Sequence, residues 1–539
     1  MMQQLFLVNP SIATPGFSFF TPRWLYVLAQ VCPEELTGRP VIVDEALEGF
    51  QPHLVEKGDI VAVGVTSGGC RSAYRVMRQA RERGAIVIAG GVHATIFPEE
   101  PLEMGANAVV TGNADVIFRA VVEDAVSGRL RPRYDGGRVP GEMMAPARWE
   151  LLDPARYLFP TVQTVAGCPE NCSFCSVWVT DGRTPRMRHA DQIIQEANQL
   201  YQMGFRYIAF ADDNFGPATI GRIRREPSRQ IRKQLEQVRE ERLRFFAHYS
   251  MHTPPDLFGI TQITSEVASD EEYLDAVHEK MRLRAALIGV ESFSDEGLAS
   301  ARKSWNPSGE RMVETIRRIQ DRGILVLSSI ICGLETDTLD TLRTMREFAC
   351  SSGALLAQFT FYAPYPGTVD HREMVQDAER RQEPGYKPKH RVELLADRFW
   401  LNPRHAVDIV KHPHLERDEW LRENLKCWSV YYSIRETLRR LRQPPASRWP
   451  WAGKVVYLVA CIAFRRVYGG NGMSADAENR TRYGLVTKLL VRLGVGIYLR
   501  FRRSSVPVRV AVDSSPIHQN EFPSALVNIH ACIDADRRL

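Results

Sequence analysis

The sequence has little excess charge of either sign and lacks a long apolar run near its start. The 539 residues include 69 Lys and Arg and 64 Asp and Glu. The resulting net charge of +5 is too small to indicate nucleic acid binding. The N-terminal MMQQLFLVNPS has no basic residue before a short apolar run, which does not fit a secretory signal peptide. Its ten cysteines form no regular disulfide framework. We therefore expect a cytoplasmic protein with mostly reduced thiols.

The composition is that of a large globular protein. With 44% hydrophobic and 25% charged residues, a chain of this length is expected to form roughly two to four domains. The predicted segments are an N-terminal α/β domain at 1–135, a linker at 136–160, a (β/α) barrel at 161–382, a helical C-terminal domain at 383–505 and a poorly ordered tail at 506–539.

In the first predicted domain, short apolar runs alternate with helical patterns such as Ser72–Arg83. This alternation predicts a doubly wound, Rossmann-like parallel sheet, with ligands bound at the carboxyl ends of its strands. The runs are Leu5–Val8, Val41–Val43, Ile60–Val65, Ile86–Ala89 and Ala108–Val110.

A second alternating pattern begins near Thr161 and predicts a full or partial barrel. Amphipathic helices at Ala190–Met203 and Ser308–Arg322 are part of it. The strand candidates are Thr161–Val165, Tyr207–Ala211, Ala285–Val290, Leu325–Ile331 and Ala357–Phe361.

Three cysteines differ from the others because they form one array. The segment GCPENCSFC places Cys168, Cys172 and Cys175 at C-x3-C-x2-C spacing directly after a predicted strand. Three thiolates on one loop can bind three irons of a [4Fe–4S] cluster, which leaves the fourth iron open for a substrate or cofactor. A structural zinc site is the alternative, but no His or fourth Cys lies nearby at ligand spacing.

A CxxxCxxC array at the first strand of a βα barrel resembles the radical S-adenosylmethionine (radical SAM) superfamily. In that family the open iron binds the amino and carboxylate groups of S-adenosylmethionine, and a 5′-deoxyadenosyl radical then abstracts hydrogen from strong C–H bonds. The cofactors carry this chemistry, while the protein supplies position and excludes water. The resemblance implies a [4Fe–4S] cluster, S-adenosylmethionine and a reductant such as flavodoxin or ferredoxin.

Further segments resemble motifs of the same family in the same order along the barrel. They are ADDNF, IGVES, SSIICGLETDT and YPGT. A carboxylate in ADDNF suits the S-adenosylmethionine ammonium, and a helix N-cap at Asp213 or Asn214 is the structural alternative. IGVES resembles the position that contacts the ribose. The S-adenosylmethionine contacts implied by the resemblance are Phe174, Asp212, Asp213, Glu291 and Ser292.

The N-terminal domain resembles the cobalamin-binding domain that precedes many radical SAM barrels. The segments that carry this resemblance are GVTSGG, AYRVMRQARERG, IVIAGGVHATIFPEE and AVVTGNAD. Glycines permit close backbone approach to a large ligand, and hydroxyls can hydrogen-bond to corrin amides. The implied cobalamin contacts are Thr66, Ser67, Gly90, Gly91, His93, Thr95 and Gly112. For His93, a loop histidine bonded only to the protein is an equal alternative.

Two features depart from that family pattern. Many relatives have a GEGE-like turn where this chain has Gly112–Asp115. No histidine precedes His53, so the loop after the first strand cannot supply the lower ligand of methionine synthase-type proteins. We therefore expect a cobalt ion without an axial histidine, which is compatible with a methyl group that leaves homolytically.

The predicted C-terminal region is helical, aromatic and basic. Val455–Phe464 is an apolar run too short to cross a bilayer, and Tyr483–Arg503 is a second, basic amphipathic stretch. Two interpretations remain: helices that lie on an anionic membrane surface, and core helices of a substrate cap with solvated arginines. The first run is flanked by Trp449, Trp451, Arg465 and Arg466. The aromatic residues predicted to be core are Phe399, Trp400, Trp428, Tyr431 and Tyr432.

The leading functional prediction is a class B, cobalamin-dependent radical SAM methylase that acts on an unactivated carbon. Because both cofactors would be bound by one chain, a substrate could be held between them and close to each. The C-terminal helices favour a lipid or isoprenoid substrate, as in hopanoid C-2 methylases, although natural-product methylases share the core. We expect a small-molecule or lipid substrate, no nucleic acid partner, and peripheral contact with the inner face of the membrane.

Three alternatives remain open. An oxidative cyclase or rearranging enzyme of the anaerobic chlorophyll ring-forming type has both domains without methyl transfer. A methylthiotransferase fits less well, because its second cluster needs three N-terminal cysteines and this region has only Cys32 and Cys70. A non-catalytic cobalamin sensor or carrier would use the cluster as a structural group.

Overall fold

The computed structural model describes residues 3–12, 14, 16–402 and 406–468. Two parallel sheets of six strands each organise this part of the chain. The predicted amphipathic stretch Tyr483–Arg503 and the predicted tail at 506–539 lie outside the described residues.

The first sheet is doubly wound. Its strands are β1 (Leu5–Asn9), β2 (Val41–Asp44), β3 (Ile60–Gly64), β4 (Ile86–Gly90), β5 (Ala108–Thr111) and β6 (Arg133–Asp135). They lie in the order β2-β1-β3-β4-β5-β6, so the winding reverses between β1 and β3. Ligands of such sheets bind at the carboxyl ends of the strands beside this reversal. The predicted fold is confirmed, and β6 is an additional edge strand in which only Tyr134 is buried.

The second sheet is an open, partial barrel. Its strands are β7 (Thr161–Val162), β8 (Tyr207–Phe210), β9 (Phe258–Ile263), β10 (Leu283–Glu291), β11 (Leu325–Cys332) and β12 (Leu356–Phe361). Each strand lies beside its predecessor in the chain, as in a βα barrel. The predicted strand Thr161–Val165 is divided, because the chain leaves the sheet at Gln163 and resumes as Val165–Ala166.

Helices connect and cover the strands. Those of the N-terminal part are Arg23–Val31, Glu34–Thr37, Cys70–Glu82, Val92–Ile96, Glu99–Glu103 and Phe118–Val126. Those of the barrel are Val177–Thr180, Ala190–Gln202, Ile220–Arg225, Arg229–His252, Glu271–Glu279, Asp295–Ser300, Gly309–Asp321, Leu339–Ser352 and Val369–Arg380. The remaining helices are Arg417–Tyr431, Ile434–Arg440 and Trp451–Tyr468. In the part of the chain that the structure describes, none of the helices has both the length and the hydrophobicity needed to cross a bilayer.

Three short strand pairs complete the secondary structure. Ser18–Phe20 pairs with Tyr157–Phe159 in parallel, and this pair links the N-terminal part to the end of the predicted linker. The other two pairs are antiparallel: Val165–Ala166 with Arg186–Met187, and Glu393–Leu394 with Val410–Lys411.

A buried carboxylate joins the N-terminal part, the predicted linker and the barrel. Glu196 is 3% exposed and accepts hydrogen bonds from Arg188 at 2.6 Å, Arg23 at 3.0 Å and the Trp149 indole at 3.0 Å. Burial would raise the pKa of Glu196, but the two guanidinium groups outweigh it and hold this pKa below its ordinary value. The three segments are therefore fixed to one another by a single charged network.

The C-terminal region packs against the barrel. Helix Arg417–Tyr431 lies on β12, where Asn424 and Trp428 donate to the Phe359 carbonyl at 3.2 and 3.1 Å. All five aromatic residues predicted to be core are buried. Trp400 reaches the N-terminal part, where its indole donates to Glu100 at 3.0 Å.

We predict that Gly91→Ala lowers the melting temperature more than Gly105→Ala does. Both glycines have positive φ, +100° and +101°, so a side chain strains the backbone at either position. A Cβ atom at Gly91 would also lie 2.8 Å from the Val65 carbonyl oxygen, whereas nothing lies within 4 Å of one at Gly105. Thermal unfolding of both variants beside the wild type measures the difference, and equal decreases would contradict the packing argument.

Candidate functional site

The cysteine loop is held in place by the surrounding protein. The Pro169 carbonyl accepts from the Arg183 and Arg222 guanidinium groups at 3.0 and 3.3 Å. The Cys168 amide donates to the Gly182 carbonyl at 3.1 Å, and the Trp178 indole donates to the Cys172 carbonyl at 2.9 Å. The loop backbone thus has partners on both sides without a contribution from a metal.

The donor set of this loop fits an iron–sulfur cluster better than a single metal ion. Burial raises the pKa of each thiol, Cys168, Cys172 and Cys175, to about 12, so ligation must supply the positive charge that stabilises three thiolates. Within the described ranges, no three His, Cys, Asp or Glu side chains converge where one ion could sit. A cluster distributes its cysteines over separate irons, whereas structural zinc needs four convergent ligands. The zinc alternative is therefore not supported.

A buried ion pair lies beside the loop. Lys303 donates to Glu291 at 2.9 Å and to the Gly289 carbonyl at 2.7 Å, and both charged side chains are 6% exposed. Burial would lower the pKa of Lys303, but Glu291 and the thiols of Cys172 and Cys175 outweigh it and hold this pKa above its ordinary value. An ammonium group is therefore available next to the predicted cluster.

This pair changes the expectation for the IGVES segment. The Glu291 carboxylate is occupied by Lys303, and the residue itself has φ +60°, a strained value for a non-glycine residue. Ser292 is 1% exposed, and its hydroxyl accepts from the Ser294 amide at 3.1 Å. Sequence reasoning missed Lys303, because no motif connects it with a strand end twelve positions earlier.

The two neighbouring aspartates of ADDNF have different surroundings. Asp212 is 0% exposed and accepts from the backbone amides of Thr164 and Val165 at 2.6 and 3.1 Å, as well as from the Thr164 hydroxyl. An Arg242 nitrogen lies 3.9 Å from its carboxylate. Asp212 therefore holds the segment that leads into the cysteine loop, and its predicted contact with S-adenosylmethionine is not supported.

Asp213 is exposed to solvent, although protein atoms surround it densely. Burial, together with the nearby carboxylates of Asp181 and Asp212, raises the pKa of Asp213 to about 7. The next residue, Asn214, places its amide nitrogen 3.8 Å from the Cys168 sulfur. A carboxylate close to the cysteine loop, whose pKa is raised by neighbouring carboxylates, can accept the ammonium group of a ligand. Phe174, also predicted to contact S-adenosylmethionine, is half-buried against the core.

His93, a predicted cobalamin contact, uses both ring nitrogens within the protein. Its Nδ1 lies 2.9 Å from the Ser67 hydroxyl and its Nε2 lies 3.0 Å from Glu100, and the ring is 0% exposed. This geometry favours the alternative of a histidine bonded only to the protein. His93 positions Ser67, which lies at the accessible edge of the sheet beyond β3.

The remaining predicted cobalamin contacts line the carboxyl edge of the first sheet. Thr66, Gly91 and Gly112 are exposed there, and Gly90 is half-buried. The Thr95 hydroxyl donates to the Gly91 carbonyl at 3.1 Å and accepts from the Gly112 amide at 3.3 Å. The result is a broad, glycine-rich shelf with few side chains, which fits close approach of a planar macrocycle.

This edge of the first sheet meets the barrel beside the cysteine loop. The Arg138 guanidinium donates to the Thr180 carbonyl at 3.0 Å, in the short helix that follows the loop. Arg186 donates to the Asn113 amide oxygen at 3.1 Å, next to Gly112. Farther along the junction, a Cβ atom at Gly367 would lie 2.7 Å from the Ile96 side chain. The two candidate cofactor sites therefore face one shared junction.

Residues 162–349, which include the cysteine array, match the radical SAM superfamily. This part of the chain is a radical SAM domain, as its cysteine array predicted. Members of this superfamily use a [4Fe–4S] cluster and S-adenosylmethionine, for which the three thiols supply the fitting donor set.

Three curated relatives have described activities. The bacteriochlorophyllide d C-8(2)-methyltransferase of Chlorobaculum tepidum is 22% identical over 442 residues, which is 78% of this chain and 86% of the relative. The hopanoid C-2 methylase of Rhodopseudomonas palustris is 25% identical over 358 residues, 65% and 63% of the two chains. The anaerobic magnesium-protoporphyrin IX monomethyl ester cyclase of Rubrivivax gelatinosus is 24% identical over 341 residues, 58% and 57%. The chain spans only 52% of another relative, an uncharacterized methyltransferase of Synechocystis sp..

Two solved structures have the same fold over nearly the whole chain. The radical S-adenosylmethionine methyltransferase TsrM from Kitasatospora setae, with cobalamin and a [4Fe–4S] cluster bound, has a TM-score of 0.56 at 17% identity and covers 94% of this chain and 100% of its own. The cobalamin-dependent radical enzyme OxsB has a TM-score of 0.59 at 14% identity, with coverage of 93% and 81%. At these identities the likeness establishes the fold.

We predict that Asp213→Asn stabilises the apoprotein at about pH 8 and that the gain declines toward about pH 5. The pKa of Asp213 rises from 3.8 to about 7 on folding, so its ionisation destabilises the fold progressively as the pH increases between these values. An asparagine removes this penalty. Thermal unfolding at both pH values measures the effect.

The matched control for this prediction is Asp397→Asn, which changes an exposed loop carboxylate. Its melting temperature should differ from that of the wild type by a similar small amount at both pH values. A stabilisation by Asp213→Asn that does not change with pH would contradict the account of this carboxylate.

Proposed function

We propose that this protein is a cobalamin-dependent radical SAM methyltransferase that methylates an unactivated carbon of a small-molecule or lipid substrate. The observation that carries the proposal is the junction between the glycine-rich shelf of the first sheet and the segment that follows the cysteine loop. A substrate held there would lie between both cofactor sites, and such proximity lowers the entropic cost of a reaction among three bound partners.

On the barrel side, the residues of this chain would bind and orient S-adenosylmethionine at the cluster. Cys168, Cys172 and Cys175 would hold three irons. Asp213 would accept the amino group of the cofactor, and the Lys303 ammonium would pair with its carboxylate. When bound, the cluster and S-adenosylmethionine supply a strongly oxidising carbon radical, and the protein aims it and excludes water.

On the other side, the shelf around Gly91 and Gly112 would support the corrin, and Thr66 and Ser67 would offer hydrogen bonds to it. His93 is engaged by Ser67 and Glu100, so it would position Ser67 rather than bind the cobalt. The fold of TsrM, which binds cobalamin and a [4Fe–4S] cluster, supports this assignment.

A ring-forming or rearranging activity is the second candidate, because a relative of comparable identity is a cyclase. Two relatives that methylate carbon, one of which covers 78% of this chain, favour the methyltransferase. A lipid or isoprenoid substrate, a flavodoxin- or ferredoxin-type reductant and contact with the inner face of the membrane belong to the proposal. The hopanoid relative suggests the lipid or isoprenoid substrate.

We predict that Cys172→Ala abolishes formation of 5′-deoxyadenosine by the reduced, anaerobically reconstituted protein, because a cluster without one of its three thiolates is lost or misplaced. Cys32→Ala, which removes a buried thiol far from the barrel in sequence, should retain both iron and 5′-deoxyadenosine formation. Iron content and mass spectrometry of the nucleoside measure the two effects. Unchanged deoxyadenosine in Cys172→Ala would contradict the assignment of the cluster.

We further predict that labelled methyl groups of S-adenosylmethionine appear in the product when cobalamin and a lipid or isoprenoid acceptor are supplied. The product should be heavier than the acceptor by one CH2, because the methyl group replaces a hydrogen atom, and labelling should require cobalamin. Mass spectrometry separates the candidates: an unlabelled product without an added carbon indicates the cyclase. If no 5′-deoxyadenosine forms under any condition, the non-catalytic sensor is the remaining alternative.

A further inference from the structure

Exposed apolar side chains are concentrated in the C-terminal helices. Within the described residues, 19 large hydrophobic side chains are exposed, and eight of them lie between positions 425 and 462. We call these eight the apolar surface: Leu425, Val430, Ile434, Leu438, Trp451, Val455, Val456 and Ile462. Exposed apolar side chains concentrated in one part of a fold indicate contact with a partner or a membrane.

Helix Trp451–Tyr468 is apolar on both of its faces. Tyr457 and Cys461 are 7% and 2% exposed and form the packed face, where Tyr457 binds Arg440 at 3.0 Å. The outer face carries Trp451 at 78% exposure and Val456 at 67%. No charged residue occurs between Lys454 and Arg465. An outer helix face in water is normally polar, so this face is suited to an apolar environment.

The same segment has a large local excess of positive charge. Residues 421–468 contain ten Lys and Arg but two Asp and Glu, whereas the whole chain has a net charge of only +5. Both acids are engaged: Glu423 pairs with Arg346 and Lys426, and Glu436 pairs with Arg439. The uncompensated charges include the exposed Arg435, next to Ile434 of the apolar surface.

We propose that the apolar surface binds an anionic lipid bilayer, with helix Trp451–Tyr468 in the plane of the headgroups. Apolar side chains would enter the acyl boundary, Trp451 would lie at the interface, and the surrounding arginines would contact lipid phosphates. This inference rests on the membrane contact included in the proposed function, and it identifies the residues and the lipid charge on which that contact depends. The apolar surface would also bring the enzyme to the membrane that contains a lipid substrate.

The charge distribution disfavours two other occupants. A second copy of the chain would place two strongly cationic surfaces against each other, and this repulsion opposes a symmetric dimer. Residues 483–503 contain five Lys and Arg and no Asp or Glu. If this segment covered the apolar surface, two positively charged segments would lie against each other. An anionic bilayer complements both the apolar and the cationic character of this surface.

The experiment is sedimentation of the full-length protein with vesicles of phosphatidylcholine alone or mixed with phosphatidylglycerol. We expect binding to the anionic vesicles that weakens as salt increases. Val456→Glu should reduce the partition coefficient at least fivefold, roughly the effect of losing one favourable charge at the membrane surface. Met251→Glu, at a 71% exposed apolar residue on another helix, is the matched control and should bind like the wild type. Val456→Leu should retain binding.

Several outcomes would overturn the inference. They are absence of binding to anionic vesicles at low salt, equal binding to both vesicle types, or equal loss of binding in Met251→Glu. A dimer in light scattering that Val456→Glu dissociates would assign the surface to a second copy. Vesicle binding is read out independently of catalysis, so loss of methyl transfer alone contradicts only the proposed function.

Discussion

The candidate site depends on a buried carboxylate that ties the barrel to the start of the cysteine loop. Asp212 receives two backbone amides and a hydroxyl from Thr164 and Val165. Arg242 completes the arrangement, since it donates to the Thr164 hydroxyl and to the Phe215 carbonyl, both at 2.7 Å. A buried ion pair is stable only when its remaining hydrogen-bonding groups are satisfied. These bonds satisfy the Asp212 carboxylate and fix where the chain leaves the sheet, although the buried Arg242 Nε has no hydrogen-bond partner among the described residues.

Two further buried carboxylates determine how the cofactor sites face each other. Glu196 connects Arg23 with the barrel. Glu100 accepts from His93, Tyr74 and Trp400, which joins the first sheet to the C-terminal region. Burial would raise the pKa of Glu100, but these hydrogen bonds hold it below its ordinary value. The shared junction is therefore set by the protein before any cofactor is present, as the close positioning of two reactive groups requires.

Local patterns in the sequence identified five of the six strands of each sheet and the cysteine array, because alternating apolar runs and ligand spacing are short-range features. In the second sheet, Phe258–Ile263 was missed. These patterns did not predict features that depend on contacts between residues far apart in the sequence. Strand β6 was missed since an edge strand with one buried residue leaves little periodicity, and the break after Val162 depends on Asp212, which lies far along the chain.

The roles of individual polar residues also depend on distant partners. Lys303 carries no motif, and its importance appears only when the fold places it beside Glu291 and near the cysteine thiols. His93 matched a binding-loop pattern, yet both of its nitrogens are engaged by Ser67 and Glu100. Sequence motifs therefore located the site but did not assign every side chain within it.

We propose that one chain holds both cofactors at this junction and that His93 stays bonded to Ser67 and Glu100 rather than binding cobalt. The most direct test is electron paramagnetic resonance of the protein, with and without nitrogen-15 in its histidines, after anaerobic loading with cobalamin and reduction to the Co(II) state. Cobalamin should remain bound to the protein, and the histidine label should leave the spectrum unchanged. Failure to retain cobalamin, or a nitrogen splitting that changes with the histidine label, would contradict the proposal.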